Sequence, residues 1–311
     1  MRVRRGRFAA RGRAWRHCNG ERARPHCSPS RRGRALSAHP VRAIIHTPGR
    51  SASRPMELQS MPRPPHHIRA VLFDIGDTLW HSRAAPPPGE FRRLAAGRAA
   101  AALREFGIHH EDPSLVARTA WVAMEEAMRT ARATDCAEPD YGLVSQRALA
   151  GIGLDLSREE AAALLESTYI SGIEGGKAPF ADALSTLTEL RRRGFRLATV
   201  TNRAFGGERF RTDLRDAGLD IGWDAEAVSV EVGFLKPHPA IFEYALHRLG
   251  IPPGEALMVG NSLAEDVLGA QQMGIPAAWR RSAPDAEGVT PDYVFDELAE
   301  LLGLPILAGP G

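Results

Sequence analysis

The stretch from Ala70 to Trp80, AVLFDIGDTLW, constrains the fold of this chain more than any other. Its first four residues are apolar enough for a strand buried on both faces, and the sequence then changes abruptly to Asp74, Gly76 and Asp77. This change places a carboxylate at the carboxyl end of a core strand, the edge of an open α/β sheet where ligands bind. Taken alone, the pattern also fits a strand that runs into an Asp-Gly turn.

From about residue 176 onward, apolar strand patterns alternate with helical ones. The strand-like segments read FRLATV, EAVSV, ALMV, IPAAW and DYVF, and a last helical pattern covers residues 297–302. Strands that alternate with helices predict a parallel sheet with right-handed crossovers. We therefore predict an α/β fold, a Rossmann-like doubly wound parallel sheet, built from residues 66–88 and 176–311.

The segment of residues 89–175 has no strand pattern. Its apolar residues recur at spacings of three and four, as on amphipathic helices, and Ser157 with Glu160 has the spacing of a capping box. Three consecutive prolines at 86–88 come before it, and we expect them to form a non-helical connector. The segment is predicted to be a helical insert between two parts of the α/β core.

Charge is distributed unevenly along the chain. Residues 1–65 hold 16 of the 40 basic residues, all arginine, with only Glu21 and Glu57 as acids; the remainder has 24 basic and 35 acidic residues, a formal charge near −11. Residues 1–65 show no apolar periodicity, so we predict that they are disordered. Nucleic-acid binding and a transit peptide both fit their composition. Because Met56 and Met61 offer alternative starts, we favour a third interpretation, that the tail is not native coding sequence.

Two further features bear on location. No run of about 18 apolar residues indicates a membrane span. Cys136 is the only cysteine after residue 65, and a single unpaired cysteine fits a reducing compartment. We predict a cytoplasmic protein that binds neither membranes nor nucleic acid; the sequence leaves its oligomeric state open.

Polar residues follow four of the predicted strands. They are Asp74, Thr201, Lys236, and Asn261 together with Asp266. Because the carboxyl ends of parallel strands share one edge of a sheet, we expect these side chains to meet there. Thr201 could instead cap a helix, and Lys236 could be an exposed loop charge. However, the chain has only two lysines, Lys177 and Lys236, which disfavours an incidental lysine at this position.

With these residues, the chain resembles the haloacid dehalogenase superfamily. The four motifs of that family appear in order as FDIGDTL, TVTN, GFLKPHP and VGNSLAED, and the resemblance covers about residues 68–280. The helical segment, residues 89–175, resembles the family's helical cap domain of the type placed just after the first strand. The resemblance implies a hydrolase, and first of all a Mg²⁺-dependent phosphatase that acts on a small phosphorylated molecule.

The resemblance also implies roles for individual residues. Asp74 would attack phosphorus and form an aspartyl-phosphate, which splits one hard displacement into two easier ones. Thr201 would donate its hydroxyl to the phosphoryl oxygens, Lys236 would neutralise charge in the transition state, and Asn202 would join them in substrate binding. The implied Mg²⁺ ligands are the carboxylates of Asp74 and Asp266, the side-chain amide oxygen of Asn261 and the backbone carbonyl of Gly76.

Two positions depart from the phosphatase pattern. Gly76 stands where phosphatases of the family carry a second Asp that acts as general acid and then base, and losing such an acid typically slows a reaction by about 10² to 10⁴. Asp77 is one residue further on and should point elsewhere, so the role is not transferred to it. Asn261 stands where the family has a metal-binding Asp, which leaves Asp266 as the main acid. Glu265 could contribute, or it could simply complement a helix dipole.

Three hypotheses follow. The first is a Mg²⁺-dependent phosphatase with impaired protonation of its leaving group. The second is a metal-independent hydrolase of the dehalogenase branch, in which the same carboxylate attacks carbon; that branch also lacks the second Asp, but it normally has Tyr where Gly76 stands. The third is a non-enzymatic protein that retained the fold. We favour the first, because most of the catalytic positions remain.

Overall fold

The structure is a computed structural model, and it describes residues 67–82, 86–281 and 288–308. The predicted disorder of residues 1–65 lies outside these described residues. No helix in the described ranges is long and apolar enough to cross a membrane. The cytoplasmic location stays a prediction.

A six-stranded parallel sheet forms the centre of the described chain. The strands of the chain are β1 Ala70–Phe73, β2 Trp80–His81, β3 Ala178–Pro179, β4 Arg196–Thr201, β5 Ala225–Val228, β6 Ala256–Gly260, β7 Ala277–Arg280 and β8 Tyr293–Phe295. The sheet order is β5-β4-β1-β6-β7-β8, while β2 and β3 pair antiparallel as a separate hairpin. The chain moves from β1 outward to β5 and then crosses to β6 on the other side of β1. The predicted doubly wound parallel sheet is therefore confirmed, with its topological switch point at β1.

Helices cover both faces of this sheet. The helices of the described chain are α1 Pro88–Glu105, α2 Pro113–Arg132, α3 Tyr141–Ala150, α4 Arg158–Ser167, α5 Ala183–Arg192, α6 Gly207–Asp216, α7 Ser229–Val232, α8 Pro239–Leu249 and α9 Gly269–Gln272. Alternate residues of β1 point to opposite faces, as in any strand. Val71 belongs to the apolar cluster that contains Leu187 of α5, and Leu72 belongs to the cluster that contains Phe242 of α8. Both faces of β1 are buried, which explains its continuous apolar sequence.

Helices α1 to α4 pack on one another between β2 and β3. Their shared apolar cluster includes Ala99, Leu103, Val116 and Leu164. The capping box predicted from Ser157 is present at the start of α4, with both of its reciprocal hydrogen bonds. The helical character predicted for this part of the chain is observed. Its assignment to a separate cap domain with boundaries at 89 and 175 stays a prediction.

Several local expectations were wrong in detail. Pro88 is the first residue of α1 rather than part of a non-helical connector, because a proline at the first helical position loses no hydrogen bond. The segment EAVSV forms a strand only to Val228, after which Ser229–Val232 is helical. The last helical pattern folds as a 3₁₀ helix over Leu298–Gly303. These errors fall at element boundaries, where packing decides the last residue of an element.

Candidate active site

Asp74 lies directly after β1, at the carboxyl edge of the sheet. Its backbone N–H donates to the carbonyl of Val259 at 2.9 Å, which extends the pairing of β1 with β6 by one residue. The chain then turns tightly, because the N–H of Leu79 bonds back to the carbonyl of Ile75 at 3.0 Å. This turn brings the hydroxyl of Thr78 to 3.1 Å from Asp74 Oδ2. The side chain of Asp74 is thus buried and fixed in orientation.

Lys236 reaches Asp74 from a loop that follows α7. Its Nζ lies 2.7 Å from Asp74 Oδ1 and 2.8 Å from Asp266 Oδ1, and all three side chains are buried. Burial lowers the pKa of the Lys236 ammonium, but the carboxylates of Asp266 and Asp74 outweigh that effect and hold its pKa above the usual range. The ammonium is therefore charged and bridges the two carboxylates.

Asp266 is carried by a π-helical turn over Leu263–Leu268 that follows β6. The N–H of Ser262 donates to Asp266 Oδ2 at 2.9 Å, so the second oxygen of this carboxylate is also engaged. Burial raises the pKa of the Asp266 carboxyl to about 6, against the opposing effect of Lys236. Gly260, the last residue of β6, allows this close approach, because any Cβ there would overlap the Asp266 side chain.

Thr201 and Asn202 end the neighbouring strand β4. Thr201 is buried at the end of the strand, beside β1. The Asn202 side chain accepts a hydrogen bond from the N–H of Lys236 at 2.7 Å and donates to the Lys236 carbonyl at 3.1 Å. It also donates to Glu265 Oε2 at 3.1 Å. Asn202 therefore fixes the loop that carries Lys236, a positioning contact that the sequence did not reveal; its predicted contact with substrate stays a prediction.

Gly76 and Asp77 are both exposed to solvent. A Cβ atom built at Gly76 would meet no heavy atom within 4 Å, so the space for a larger side chain exists. Asp77 adopts a left-handed backbone conformation with φ of 54°, and its carbonyl accepts from Arg280 Nη1 at 3.0 Å. The carboxylate of Asp77 makes no hydrogen bond to the described residues that surround Asp74, so nothing in its contacts gives it the role of the missing acid.

The oxygen atoms around Asp74 are of the chemical types that bind magnesium. The Thr78 hydroxyl lies 3.1 Å from Asp74 Oδ2 and 3.3 Å from Asn261 Oδ1, so a carboxylate oxygen and an amide oxygen both lie next to this hydroxyl. A hydroxyl has one proton and serves only one of them at a time. Such oxygens, with the Asp266 carboxylate nearby, are the ligands that Mg²⁺ prefers. The described residues contain no cluster of three or more His, Cys, Asp or Glu, so amide and carbonyl oxygens would have to complete the set.

A cavity of about 550 Å³ opens beside this group of residues, between the helices α1 and α2 and the ends of β4 and α6. Its apolar and aromatic lining includes Phe91, Ala95, Ala117, Trp121, Met124, Met128, Tyr169, Ile170 and Phe205. Its polar lining includes Lys177, Asn202 and Arg203. Asn202 is thus shared by the cavity and by the loop that carries Lys236. This volume is typical of a site for a small molecule.

Asp213 of α6 joins the helical part of the chain to the sheet. Its buried carboxylate accepts from the N–H of Gly172 at 2.9 Å, from Arg203 Nη2 at 2.5 Å and from the Tyr169 hydroxyl. The guanidinium of Arg203 also lies 5.6 Å from the centroid of the Trp80 ring. These contacts fix one wall of the cavity. Sequence reasoning missed them, because Asp213 sits inside a helix and carries no motif.

The family model for haloacid dehalogenase-like hydrolases matches residues 68–274. The chain belongs to the haloacid dehalogenase-like hydrolases. The predicted family and the prediction of a hydrolase are thereby confirmed. The roles of the individual site residues stay predictions.

Named relatives of this haloacid dehalogenase-like hydrolase include two phosphatases. The glyceraldehyde 3-phosphate phosphatase of Methanopyrus kandleri is 28% identical over 245 residues, which cover 76% of this chain and 96% of the relative. The phosphoserine phosphatase of Thermus thermophilus is 32% identical over 255 residues, which cover 75% of this chain and 90% of the relative. Among solved structures, a 2-haloacid dehalogenase from Pseudomonas syringae pv. Tomato superposes with a TM-score of 0.52 at 26% identity, covering 78% of this chain and 98% of that one.

Proposed function

We propose that this hydrolase is a phosphatase that acts on a small phosphorylated metabolite through an aspartyl-phosphate at Asp74. The observation that carries the proposal is the buried contact of Asp74 with Lys236 at the carboxyl edge of β1. An anionic carboxylate that attacks an anionic phosphate needs positive charge close by, and the ammonium supplies it. The names of the two phosphatase relatives support the same reaction. We place the reaction in the cytoplasm, as the composition suggests.

In the first step, an oxygen of Asp74 attacks phosphorus while Thr78 and Lys236 hold the carboxylate in place. Such fixed orientation lowers the entropic part of the barrier. The Thr201 hydroxyl, at the end of the adjacent strand, donates to a phosphoryl oxygen. In the second step, water attacks phosphorus, inorganic phosphate leaves, and the Asp74 carboxylate is regenerated.

Asp74, Asp266, Asn261 and the carbonyl of Gly76 are the groups that would hold Mg²⁺. When bound, the ion supplies further positive charge against the repulsion between carboxylate and phosphate. These ligands carry one negative charge fewer than in phosphatases of the family, because Asn261 is neutral where they have Asp. We therefore expect activity to require millimolar rather than trace Mg²⁺.

The leaving group lies in the cavity beside Asn202. Because no carboxylic acid stands at position 76, the departing oxygen receives no proton from that position. Leaving groups that need little protonation should therefore react fastest. We expect aryl and acyl phosphates to be hydrolysed and sugar phosphates to be slow.

A metal-independent hydrolase of the dehalogenase type is the second candidate. The solved 2-haloacid dehalogenase superposes on this chain. In addition, Gly76 and Asn261 stand where phosphatases of the family carry Asp, so the site has fewer carboxylates, as expected for the dehalogenase branch. The absence of an aromatic residue at position 76 speaks against it. The third hypothesis, a non-enzymatic protein, is disfavoured by membership of a hydrolase family.

A panel of substrates separates the two candidates. Wild type and Asp74→Asn are assayed on phenyl phosphate, acetyl phosphate, a sugar phosphate and 2-chloropropionate, each with Mg²⁺ and with EDTA. The phosphatase releases phosphate only with Mg²⁺ and only when Asp74 is intact. Chloride release that survives EDTA would instead establish the dehalogenase reaction. Equal rates on aryl and sugar phosphates would contradict the expected effect of Gly76.

A further inference from the structure

Lys177, the second of only two lysines in the chain, lies just before the hairpin strand whose partner strand bridges to Gly76. It immediately precedes β3, whose partner strand β2 contains Trp80, and Trp80 in turn forms an isolated bridge with Gly76. The Lys177 Nζ lies 5.1 Å from the centroid of the Trp80 ring. Lys177 and Asn202 both line the cavity in which the proposed function places the leaving group. The topology thus brings a lysine to the side of the site where Gly76 leaves a gap.

The ammonium of Lys177 is half-buried but unpaired. No hydrogen bond or ion pair joins its Nζ to any residue that the structure describes, whereas Lys236 is held by two carboxylates. Burial lowers the pKa of Lys177, and the nearby charge of Arg203 lowers it further, against smaller opposing effects of carboxylates that include Asp74. A desolvated ammonium of this kind gives up a proton more readily than an exposed lysine.

The other titratable groups along the described cavity wall are unsuited to proton transfer. Arg203 is ion-paired with Asp213, and a guanidinium does not lose its proton in proteins. The Tyr169 hydroxyl donates to Asp213, and burial raises the pKa of that hydroxyl. The Asp213 carboxylate is itself engaged by three donors. Lys177 is the group on this wall whose proton is available.

We propose that Lys177 is a catalytic residue that protonates the leaving group in place of the acid absent at Gly76. The inference rests on the proposed phosphatase function. When Asp74 attacks phosphorus, the bond from phosphorus to the leaving oxygen breaks and its electron pair stays on that oxygen. The Lys177 ammonium transfers its proton there, so an alcohol departs and a neutral amine remains. Water then attacks the aspartyl-phosphate, the amine takes a proton from that water, and carboxylate, ammonium and phosphate are restored.

Substituted phenyl phosphates test this role, because the ring stays the same size while the acidity of its leaving group changes. With Lys177→Met, kcat/KM for phenyl phosphate should fall by about 10², the usual contribution of a general acid. For 4-nitrophenyl phosphate, whose leaving group needs little protonation, it should change little. The slope of log kcat/KM against leaving-group pKa therefore becomes steeper in the variant.

Two further variants keep the test specific. Lys177→Arg retains the charge and the stacking on Trp80 but does not give up a proton, so it should behave like Lys177→Met. Adding Gly76→Asp to Lys177→Met should restore phenyl phosphate hydrolysis, because the carboxylic acid takes over the role. If Lys177→Arg restores the wild-type slope, or if Lys177→Met slows both substrates equally, Lys177 binds or orients the phosphate and the proposal is wrong.

Failure of the underlying phosphatase reaction gives a different result. In that case the wild type releases no phosphate from any phenyl phosphate, with or without Mg²⁺, and the role of Lys177 falls with it. If the wild type is active and Asp74→Asn is not, the phosphatase stands, and the slope for the Lys177 variants alone decides the role of Lys177.

Discussion

The crevice around Asp74 and the cavity beside it differ in how their charges are satisfied. In the crevice, Lys236 bridges Asp74 and Asp266, so each of these charged groups has a neighbour of opposite sign. In the cavity, most of the lining is apolar, and Lys177 has no ion-pair partner among the described residues. The charged groups of the crevice are thus held by one another, whereas the cavity leaves one cation, Lys177, without such a partner among the described residues.

Replacing Asp74, the proposed nucleophile, should have the largest effect. In Asp74→Asn the amide keeps the size of the side chain but does not attack phosphorus, so kcat should fall by at least about 10⁴, as for nucleophiles in other enzymes. Asp77→Asn is the matched control, because Asp77 is exposed and lies outside the crevice. Steady-state kinetics on 4-nitrophenyl phosphate measure both. An equal fall of kcat in Asp74→Asn and Asp77→Asn would mean that Asp74 has no special role in the reaction.

Stability should distinguish the two lysines. Lys236→Met leaves two buried carboxylates without their cation, which should lower the free energy of unfolding by about 3 to 5 kcal/mol. Lys177→Met removes a cation that has no ion-pair partner in the described chain, so its effect should be much smaller. Urea denaturation monitored by circular dichroism provides the comparison. Similar destabilisation by both variants would mean that the cavity lysine is as firmly held as the crevice lysine.

Adding an acid to the crevice should raise activity. Gly76→Asp meets no steric barrier, since a Cβ there has no neighbour within 4 Å and the Gly76 backbone is not left-handed. In the Lys177→Met chain, which lacks the proposed proton donor, we expect kcat/KM for phenyl phosphate to increase by up to about 10², with a smaller gain for 4-nitrophenyl phosphate. In the wild-type chain, where Lys177 supplies the proton, the gain should be small. Gly76→Asn, which has the same shape without the acid, is the control and should show no gain.

The cavity should affect binding rather than chemistry. Trp121 lines it, contacts Phe205 at a centroid distance of 5.9 Å, and donates from Nε1 to Thr168 at 2.9 Å. Trp121→Leu should raise KM for 1-naphthyl phosphate about tenfold, since aromatic contacts contribute about 0.5 to 1.5 kcal/mol beyond the area they bury. KM for acetyl phosphate, which is too small to reach this wall, should stay constant. A parallel rise for both substrates would place the leaving group elsewhere.

The crevice around Asp74 could be predicted from the sequence to a larger extent than the cavity beside it. Asp74, Lys236 and Asp266 follow strands or lie in the loop and helical turn after them, and in a parallel sheet the carboxyl ends of neighbouring strands meet at one edge. Their convergence therefore followed from the order of strands and helices alone. The parallel doubly wound sheet followed from the same alternation.

The cavity could not be predicted in this way. Lys177 lines the cavity because the hairpin of β2 and β3 folds back beside Gly76, and two-residue strands carry no periodic signal. Asp213 becomes important because α6 packs against the segment that contains Gly172. Such contacts depend on tertiary packing. The sequence feature that sets Lys177 apart is that the chain contains only two lysines.

The most direct test of the central claim is to capture the covalent intermediate. Enzyme mixed with excess 4-nitrophenyl phosphate and Mg²⁺ is quenched in acid within one turnover, digested, and sequenced by tandem mass spectrometry. The proposed mechanism predicts a phosphoryl group on Asp74 in the peptide that contains Ala70 to Trp80, and its absence from Asp74→Asn. Turnover with no phosphorylated Asp74, or a phosphoryl group carried on another residue, would contradict it.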